Sequence, residues 1–208
     1  MTSSGNGLTV IKVGGSCVGA LDLRRWTAAV AACAGRVVIV PGGGAFADAV
    51  RAAQRTMGFD DAAAHHMALL AMEQLGHALA SFDARLSPAD SVAELRRRLR
   101  DNKVPVWLPT RMTLAAADVP ASWDVTSDSL AAWLAGRLGA RRLVLMKQID
   151  VPGDSSDNLA SQGIVDRAFP RFLAASGVPA LILGPADHMA VAATLCDDPQ
   201  IGTRIVAR

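Results

Sequence analysis

The sequence predicts an α/β protein, a three-layer αβα sandwich around a mainly parallel sheet. Solid aliphatic runs alternate with segments of helical periodicity, which is typical of parallel strands covered on both faces. The first two of these runs, VIKV and VVIV, each pass directly into glycines, as the strand-to-helix turns of such folds do. At 208 residues the chain is long enough for one sizeable core. We expect residues 1–7 to be a disordered lead and residues 8–208 to be a single domain.

The first half of the chain is predicted to alternate strands with helices. A strand over 8–13 passes through glycines to a helix within 21–35, where Leu23, Trp26 and Val30 have helical spacing. Ser91, with Glu94 three residues later, has capping-box spacing and predicts the start of a later helix that closes at Asn102. The other predicted elements are a strand over 36–40, helices within 45–58 and 59–82, and a strand in VPVWLP.

The second half continues the pattern. Thr126 or Ser127 is predicted to cap a helix that buries leucines at a four-residue spacing, and the apolar strand RRLVLMK follows. QIDVPGDSSDN, rich in Gly, Pro, Asp and Ser, is predicted to be a loop. The remaining elements are a helix through FPRFLAASG, a strand in VPALILG, a helix from 186 to about 196 and a final strand in GTRIVAR.

Composition limits the possible partners and compartment. The formal net charge is only +2, which argues against a nucleic-acid partner. No apolar run approaches the ~20 residues of a membrane span, so we expect no membrane partner. Three cysteines that cannot all pair with one another favour a reducing compartment, and we expect a cytoplasmic protein.

The segment FDDAAAHHMALLAMEQLGHALASF predicts a helix that is apolar on more than one side. Met67, Leu70, Gln74 and Ala78 lie roughly along one stripe, yet the other faces are also mostly apolar. Such helices are often buried at a subunit contact. We therefore predict a homodimer or a higher homo-oligomer.

Two of the three lysines stand at the ends of apolar strands. Lys12 and Lys147 occupy these positions, and Lys103 is the third. In open α/β sheets, ligands bind beyond the carboxyl ends of the strands, where glycine turns expose main-chain N–H groups to anions. A lysine at such a turn can reach a transferring phosphoryl group. The pattern favours a phosphate-handling protein.

Two other phosphate motifs are disfavoured. The pattern GxxxxGK[ST] is absent, because no Gly-Lys dipeptide occurs. GGGAFA matches the dinucleotide fingerprint GxGxxA, but it follows the second strand, and Asp60 and Asp61 begin a helix where that fold needs an acidic residue at a strand end. A dehydrogenase remains an alternative that a nicotinamide-binding test would detect.

Four segments, taken in order, resemble the amino-acid kinase superfamily. They are VIKVGGS, VVIVPGGGAFADAVR, WDVTSDSLAAWLAGRLGARRLVLMKQID and IGTRIV, which together span residues 8 to 206. The resemblance implies an αβα sandwich that binds ATP and Mg²⁺ on one part of the sheet edge and a small anionic acceptor on another.

The resemblance also implies roles for individual residues. Lys12, Asp128 and Lys147 are the expected catalytic residues, with the aspartate orienting the two lysines. A carboxylate in the first turn of a helix is favoured by the helix dipole in any protein, so a purely structural role for Asp128 stays open. The expected nucleotide-binding residues are Lys12, Gly14, Gly15, Ser16, Lys147, Asp150 and Gly153. The sequence departs from the family's Asp-Gly pattern in this last region, since Asp150 is followed by Val-Pro-Gly.

Acceptor binding is expected at a second set of residues, namely Gly42, Gly43, Gly44, Arg51, His65 and Thr126. The glycines come from the resemblance, whereas an arginine after a glycine turn could clamp a phosphate by two hydrogen bonds. No third ligand has a spacing that would complete a metal site with His65 and His66. His65 or His66 could therefore contact the acceptor instead. Metal ligands in the protein are not predicted.

The predicted function is that of an ATP-dependent kinase of a small anionic acceptor. The glycine triplet followed by FDDAAAHHMALLAMEQ is most similar to the branch that phosphorylates aminomethylfuran methyl phosphate to a diphosphate in methanofuran-type cofactor synthesis. Two alternatives remain: a kinase that converts an amino-acid carboxylate to an acyl phosphate, and a non-catalytic nucleotide or oxyanion binding protein.

Overall fold

The computed structural model describes residues 7–14, 20–151, 153–184 and 202–206. Several predictions fall outside these residues. They concern the lead over residues 1–6, the site residues Gly15 and Ser16, and the helix predicted from 186 to about 196.

The described strands form one eight-stranded sheet with the order β3-β4-β2-β1-β5-β7-β8-β6. The strands are β1 Thr9–Val13, β2 Val37–Pro41, β3 Leu86–Ala89, β4 Val104–Trp107, β5 Arg142–Met146, β6 Asp154–Ser155, β7 Ala180–Leu183 and β8 Thr203–Val206. β1 lies between β2 and β5 and is parallel to both. The β7–β8 pair is antiparallel, and the other pairs among the described strands are parallel.

Helices cover both faces of the sheet. They are α1 Ala20–Ala31, α2 Gly44–Met57, α3 Asp61–Ala80, α4 Val92–Arg100, α5 Thr110–Leu114, α6 Ser127–Leu138, α7 Ser156–Ser161 and α8 Phe169–Ser176. Because side chains alternate along a strand, Val10 packs in one apolar cluster with Leu130 of α6, while Ile11 packs in another with Trp26 of α1. The predicted three-layer αβα class with a mainly parallel sheet is confirmed.

Local sequence signals set several helix ends as expected. Gly58 ends α2 with a φ of 72°, a left-handed conformation that glycine adopts without strain. Asp60 then caps α3 by accepting a hydrogen bond from the Ala63 N–H. At α4, Ser91 accepts from the Glu94 N–H, and the Glu94 carboxylate accepts from the Asp90 N–H. The capping prediction for α4 is therefore confirmed, with the return bond shifted by one residue.

Four elements were not predicted. β3 contains Pro88 and only four residues, which suits an edge strand and gives little periodic signal. α5 is also short, and its periodicity spans little more than one turn. The prediction of a loop over 148–158 is wrong at its end, because β6 and the start of α7 lie there. The Ser155 hydroxyl caps α7 by accepting from the Asn158 N–H.

Cys33 is disulfide-bonded. The count of three cysteines did not predict this bond, because an odd number excludes complete pairing but allows one pair. The cytoplasmic location stays an expectation. Within the described residues, every helix is too short or too polar to cross a lipid bilayer.

Candidate active site

The ends of the two central strands bring Lys12 and Lys147 together. β1 and β5 are paired in parallel, with Lys12 opposite Leu145 and Val13 opposite Met146. Lys147 directly follows β5, and its N–H donates to the Leu183 carbonyl of β7. The register therefore places the two lysines two positions apart at one edge of the sheet.

Asp128, the second residue of α6, lies between the two ammonium groups. The Lys12 Nζ is 3.0 Å from Asp128 Oδ1, and the Lys147 Nζ donates to Asp128 Oδ2 over 2.8 Å. The Asp128 side chain is 6% exposed, and those of Lys12 and Lys147 are 9% and 14% exposed. We call these three residues the lysine cluster. It holds two cations and one anion away from bulk water.

Burial and the charges of the lysine cluster together shift the pKa of two of its members. Burial would raise the pKa of Asp128, but the attraction of Lys12 and Lys147 outweighs it and holds the pKa at about 2. Burial and the positive charge of Lys12 lower the pKa of Lys147, although Asp128 opposes this. The aspartate is thus ionised at neutral pH and unsuited to take up a proton.

Asp166 holds the first turn of α6 from outside the helix. Its Oδ2 accepts from the Thr126 N–H at 3.0 Å, the Thr126 hydroxyl at 2.9 Å and the Ser129 N–H at 3.0 Å. Its Oδ1 accepts from the Ser129 hydroxyl. Burial and the nearby negative charge of Asp128 raise the pKa of Asp166. The Thr126 side chain makes no cap bond to its own helix, so Asp166 takes over the capping role and fixes the turn that carries Asp128.

A cavity of about 230 Å³ opens beside the lysine cluster, and we call it the glycine cavity. The first turn of α2 supplies one wall, where Gly44 has a φ of 54° and a Cβ on Gly43 would collide with Ala47. Its lining residues are Gly42, Gly43, Gly44, Ala47, Asp48, Arg51, His65, Ala68, Leu69, Met72, Trp123, Val125, Thr126, Ser127 and Leu130. Glycine amides at a helix start can bind an anion, and the aliphatic wall suits an apolar body.

Arg51 is the one arginine or lysine among the described residues that line the glycine cavity. Its guanidinium carbon lies 4.4 Å from the centroid of the Trp123 ring, and its Nη1 donates to Asp48 Oδ1 at 3.1 Å. His65 lies on α3 and is 7% exposed. Burial, with a smaller effect from His66, lowers the pKa of His65, so its imidazole is neutral at neutral pH.

A second cavity, of about 450 Å³, shares Trp123 with the glycine cavity. Its lining includes Asp128, Lys147 and Asp166, together with residues of α7 and the segment that follows it. Arg51, Trp123 and Thr126 line both cavities. Asp128 and Lys147 thus line the second cavity, while Ser127, next to Asp128 in the chain, lines the glycine cavity. The lysine cluster lies near both cavities, as a transfer between two bound molecules requires.

The structure brings most predicted site residues together. The three predicted catalytic residues are in contact, and all six predicted acceptor-binding residues line the glycine cavity. Gly14 is buried directly after β1. Asp150 and Gly153 are exposed in the segment between β5 and β6, and neither lines either cavity. Their nucleotide contacts stay predictions.

Sequence reasoning singled out neither Asp166 nor Trp123 as a functional residue. Asp166 lies 37 to 40 residues from its hydrogen-bond partners, and no local motif surrounds it. Trp123 stands in a segment without regular structure between α5 and α6. The sequence pattern shows where the strands end and therefore which end of the sheet carries the site. It does not show which loop residues reach that end.

The described residues contain no group of three or more His, Cys, Asp or Glu side chains that could hold a metal ion. Mg²⁺ is commonly bound through substrate phosphates with few protein carboxylates. The donor set in the described part of the chain thus fits a metal carried by phosphates better than a protein-built metal site.

Comparison with known proteins decides the family. The family model described as "Amino acid kinase family" matches residues 7–153, which is more than half of the chain. The chain belongs to the amino acid kinase family. This membership confirms the fold and the prediction of an ATP-dependent kinase, a phosphotransferase that acts on a small acceptor.

A curated relative and two solved structures add detail to the amino acid kinase assignment. The chain is 28% identical over 149 residues to [5-(aminomethyl)furan-3-yl]methyl phosphate kinase of Methanocaldococcus jannaschii, covering 66% of this chain and 68% of the relative. The uridylate kinase of Archaeoglobus fulgidus matches with a TM-score of 0.72 at 17% identity, over 96% of this chain and 100% of the other. The UMP kinase of Ureaplasma parvum matches with a TM-score of 0.68 at 15% identity, over 96% and 98%. The two structures support the fold.

Proposed function

We propose that this kinase transfers the γ-phosphoryl group of ATP to [5-(aminomethyl)furan-3-yl]methyl phosphate and forms the corresponding diphosphate. The observation that carries the proposal is the convergence of Lys12 and Lys147 on Asp128 near a cavity that Arg51 lines. The identity of the acceptor rests on the similarity to the Methanocaldococcus jannaschii enzyme. It would place the protein in the synthesis of methanofuran-type cofactors.

The glycine cavity has features that suit this acceptor. Arg51 and the amides at the start of α2 offer a binding site for the phosphate, while Leu69, Met72 and Leu130 offer an apolar wall for a furan ring. Asp48, also on the lining, carries a negative charge that an aminomethyl group could approach. A cavity with an anion site, an apolar wall and a carboxylate matches the three parts of the proposed acceptor.

In the proposed reaction, an oxygen of the acceptor phosphate forms a bond to the γ-phosphorus while the bond to the β,γ-bridging oxygen breaks and ADP leaves. A phosphomonoester has its second pKa at about 6, so its oxygen is already an anion at neutral pH and no general base is needed. Lys12 and Lys147 neutralise charge on the moving group, and Asp128 keeps the two ammonium groups in place. This agrees with an aspartate whose pKa is held at about 2.

Mg²⁺ is proposed to arrive with the phosphates of ATP, where it would neutralise part of their charge. Lys147 and the second cavity, which contains Asp128 and Asp166, are proposed to face the nucleotide.

The test is a phosphoryl-transfer assay with ATP and MgCl₂ over a panel of acceptors. The panel contains [5-(aminomethyl)furan-3-yl]methyl phosphate, UMP, acetylglutamate, aspartate and a reaction without acceptor. We expect ADP release to depend on the furan phosphate, and ³¹P NMR to show the paired doublets of a diphosphate ester. Transfer to a carboxylate alone, trapped by hydroxylamine, would instead support an acyl-phosphate kinase. ATP binding with no transfer to any acceptor would support a non-catalytic binding protein.

We further propose that the protein is a homodimer that buries the outer faces of α2 and α3. Four large apolar side chains are exposed on these helices, namely Phe46, Met57, Met67 and Leu70. Such side chains on neighbouring helices indicate a contact surface. In light scattering coupled to size-exclusion chromatography, the wild type should have the mass of two chains. Leu70→Glu should shift it to one chain, and Leu114→Glu, which changes an equally exposed leucine on α5, should not.

A further inference from the structure

We infer that Trp123 is a positioning residue that sets the phosphate affinity of the glycine cavity by holding the Arg51 guanidinium. The inference rests on the proposed function, because it takes the acceptor to be a phosphomonoester. Trp123 stands on the segment between α5 and α6, and Arg51 stands on α2. The two residues therefore join parts of the chain that are far apart in sequence.

The orientation of Arg51 matters because no other arginine or lysine among the described residues lines the glycine cavity. Its side chain is 43% exposed, and it forms an ion pair with Asp48, whose side chain is 73% exposed. An exposed pair of this kind fixes a long side chain weakly. The Trp123 ring, with its centroid 4.4 Å from the guanidinium carbon, provides a planar support on which an arginine stacks. The stack leaves the N–H groups at the edge of the guanidinium available to a phosphate.

Trp123 is itself held by a chain of hydrogen bonds. Its Nε1 donates to Gln54 Oε1 at 2.7 Å. The Gln54 amide then donates to Asp61 Oδ1 at 2.9 Å and to the Phe59 carbonyl at 3.2 Å. These partners lie where α2 passes into α3, and both helices line the glycine cavity. The indole is thus fixed to the same helices that carry Arg51 and His65.

Trp123 and Arg51 also line the second cavity, where Lys147 and Asp128 are found. A phosphate bound by Arg51 would therefore lie on the side of the glycine cavity that adjoins the second cavity. The surface between the two cavities needs a rigid side chain, and an indole with both its ring face and its N–H engaged meets this need. Trp123 acts through Arg51 and has no chemical role of its own.

The arrangement predicts separate effects on binding and on turnover. Replacing Trp123 by leucine removes both the stack and the indole N–H, whereas phenylalanine keeps a ring for the stack. We expect Trp123→Leu to raise the KM of [5-(aminomethyl)furan-3-yl]methyl phosphate by roughly threefold to thirtyfold, the range of one cation–π contact, with kcat changed less than about twofold. Trp123→Phe should recover most of the affinity for the acceptor.

The matched control is Arg137→Ala. Arg137 stacks on Trp133 with 4.2 Å between guanidinium carbon and ring centroid, and both residues contact Asp118 at the opposite end of α6. Neither residue of that pair lines the glycine cavity. This variant removes an arginine–tryptophan stack from the protein without touching the site, and it should leave the KM of the acceptor unchanged.

Calorimetric binding without ATP separates the phosphate from the rest of the acceptor. We compare [5-(aminomethyl)furan-3-yl]methyl phosphate with its dephosphorylated alcohol. Weaker binding of the phosphate ester by Trp123→Leu, with unchanged binding of the alcohol, supports the inference. Equally weakened binding of the phosphate ester and of the alcohol would overturn the inference, because the indole would then contact the furan ring. An unchanged KM of the acceptor would also overturn it. If the wild type neither binds nor phosphorylates this compound, the proposed acceptor is wrong. The same variants, assayed with whichever phosphomonoester of the panel is phosphorylated, then decide the role of Trp123.

Discussion

The lysine cluster and the glycine cavity are neighbours built in opposite ways. In the lysine cluster, three buried charges contact one another directly, and each is attached to a central strand end or to the first turn of α6. In the glycine cavity, the charged side chain of Arg51 is partly exposed and rests on a ring and a surface carboxylate. The first is rigid and water-poor, and the second is open and adjustable.

The difference separates two tasks of a kinase. Charge stabilisation in phosphoryl transfer needs preorganised groups in a dry site, since reorganisation costs free energy at the moment of reaction. Recognition of an acceptor needs only moderate affinity, and weaker, partly solvated contacts supply it. Changes in the lysine cluster should therefore act on kcat, and changes in the glycine cavity should act on the KM of the acceptor.

The largest effect is expected when a lysine of the cluster is removed. Lys12→Ala and Lys147→Ala should each lower kcat by about 10²- to 10³-fold, because each removes one fixed cation from the charge that develops in transfer. Asp128 keeps one ammonium partner in either variant, so the fold should persist. Steady-state kinetics and circular dichroism measure the two outcomes.

Lys103→Ala is the control for these variants. Lys103 is the third lysine of the chain, and its Nζ donates to the Ala84 carbonyl beside β3 and β4. Its replacement should leave kcat and both KM values within about twofold of the wild type. A kcat that stays near the wild-type value in Lys12→Ala or Lys147→Ala would show that the lysine cluster is not the transfer centre.

The lysine cluster could be predicted from the sequence because its signal is local. A lysine beside glycines at the end of an apolar run is costly to bury without an anion, and the shared edge of parallel strands then places Lys12 near Lys147. The helix start predicted at Thr126 or Ser127 placed Asp128 at that edge. The glycine triplet likewise located the cavity wall, since helix starts after such turns bind anions.

Asp166 and the stack of Trp123 on Arg51 could not be predicted in this way. Each depends on where a segment without regular periodicity packs against a helix more than thirty residues away. Turn-rich sequence indicates a loop but not its path. The same reason explains why β6 and α7 were missed within a stretch that has loop composition.

A smaller effect is expected from Asp166→Asn, which tests whether Asp166 keeps the lysine cluster rigid by holding the first turn of α6. The variant keeps the size of the side chain but removes the charge that accepts four hydrogen bonds at the start of α6. Loss of a cap costs about 0.5–2 kcal/mol. Asparagine also avoids the burial and repulsion from Asp128 that raise the pKa of Asp166, so the net loss should lie at the low end. We expect kcat to fall by up to about tenfold, with the KM of the acceptor nearly unchanged.

Asp157→Asn is the comparison for Asp166→Asn, since Asp157 is exposed in the first turn of α7. It should change neither kcat nor the free energy of unfolding in urea by a measurable amount. An equal fall of kcat in both variants would mean that any lost carboxylate near the second cavity slows the enzyme, and the positioning role of Asp166 would be wrong.

The smallest effect concerns His65, and it appears as a pH dependence of stability. Burial lowers the pKa of His65 below its usual 6.5, and His66 adds to this. The unfolded chain therefore takes up this proton first, so the stabilisation is complete above pH 6.5 and is lost as the pH falls through the folded pKa. Each unit by which the pKa is lowered corresponds to about 1.4 kcal/mol of stability.

Urea unfolding between pH 7.5 and 5 should show a shallower decline of the free energy of unfolding in His65→Gln than in the wild type. His77→Gln, which changes an exposed histidine of the same helix, should retain the wild-type slope. An identical slope in all three proteins would place the acid sensitivity elsewhere and leave the glycine cavity without a buried neutral imidazole.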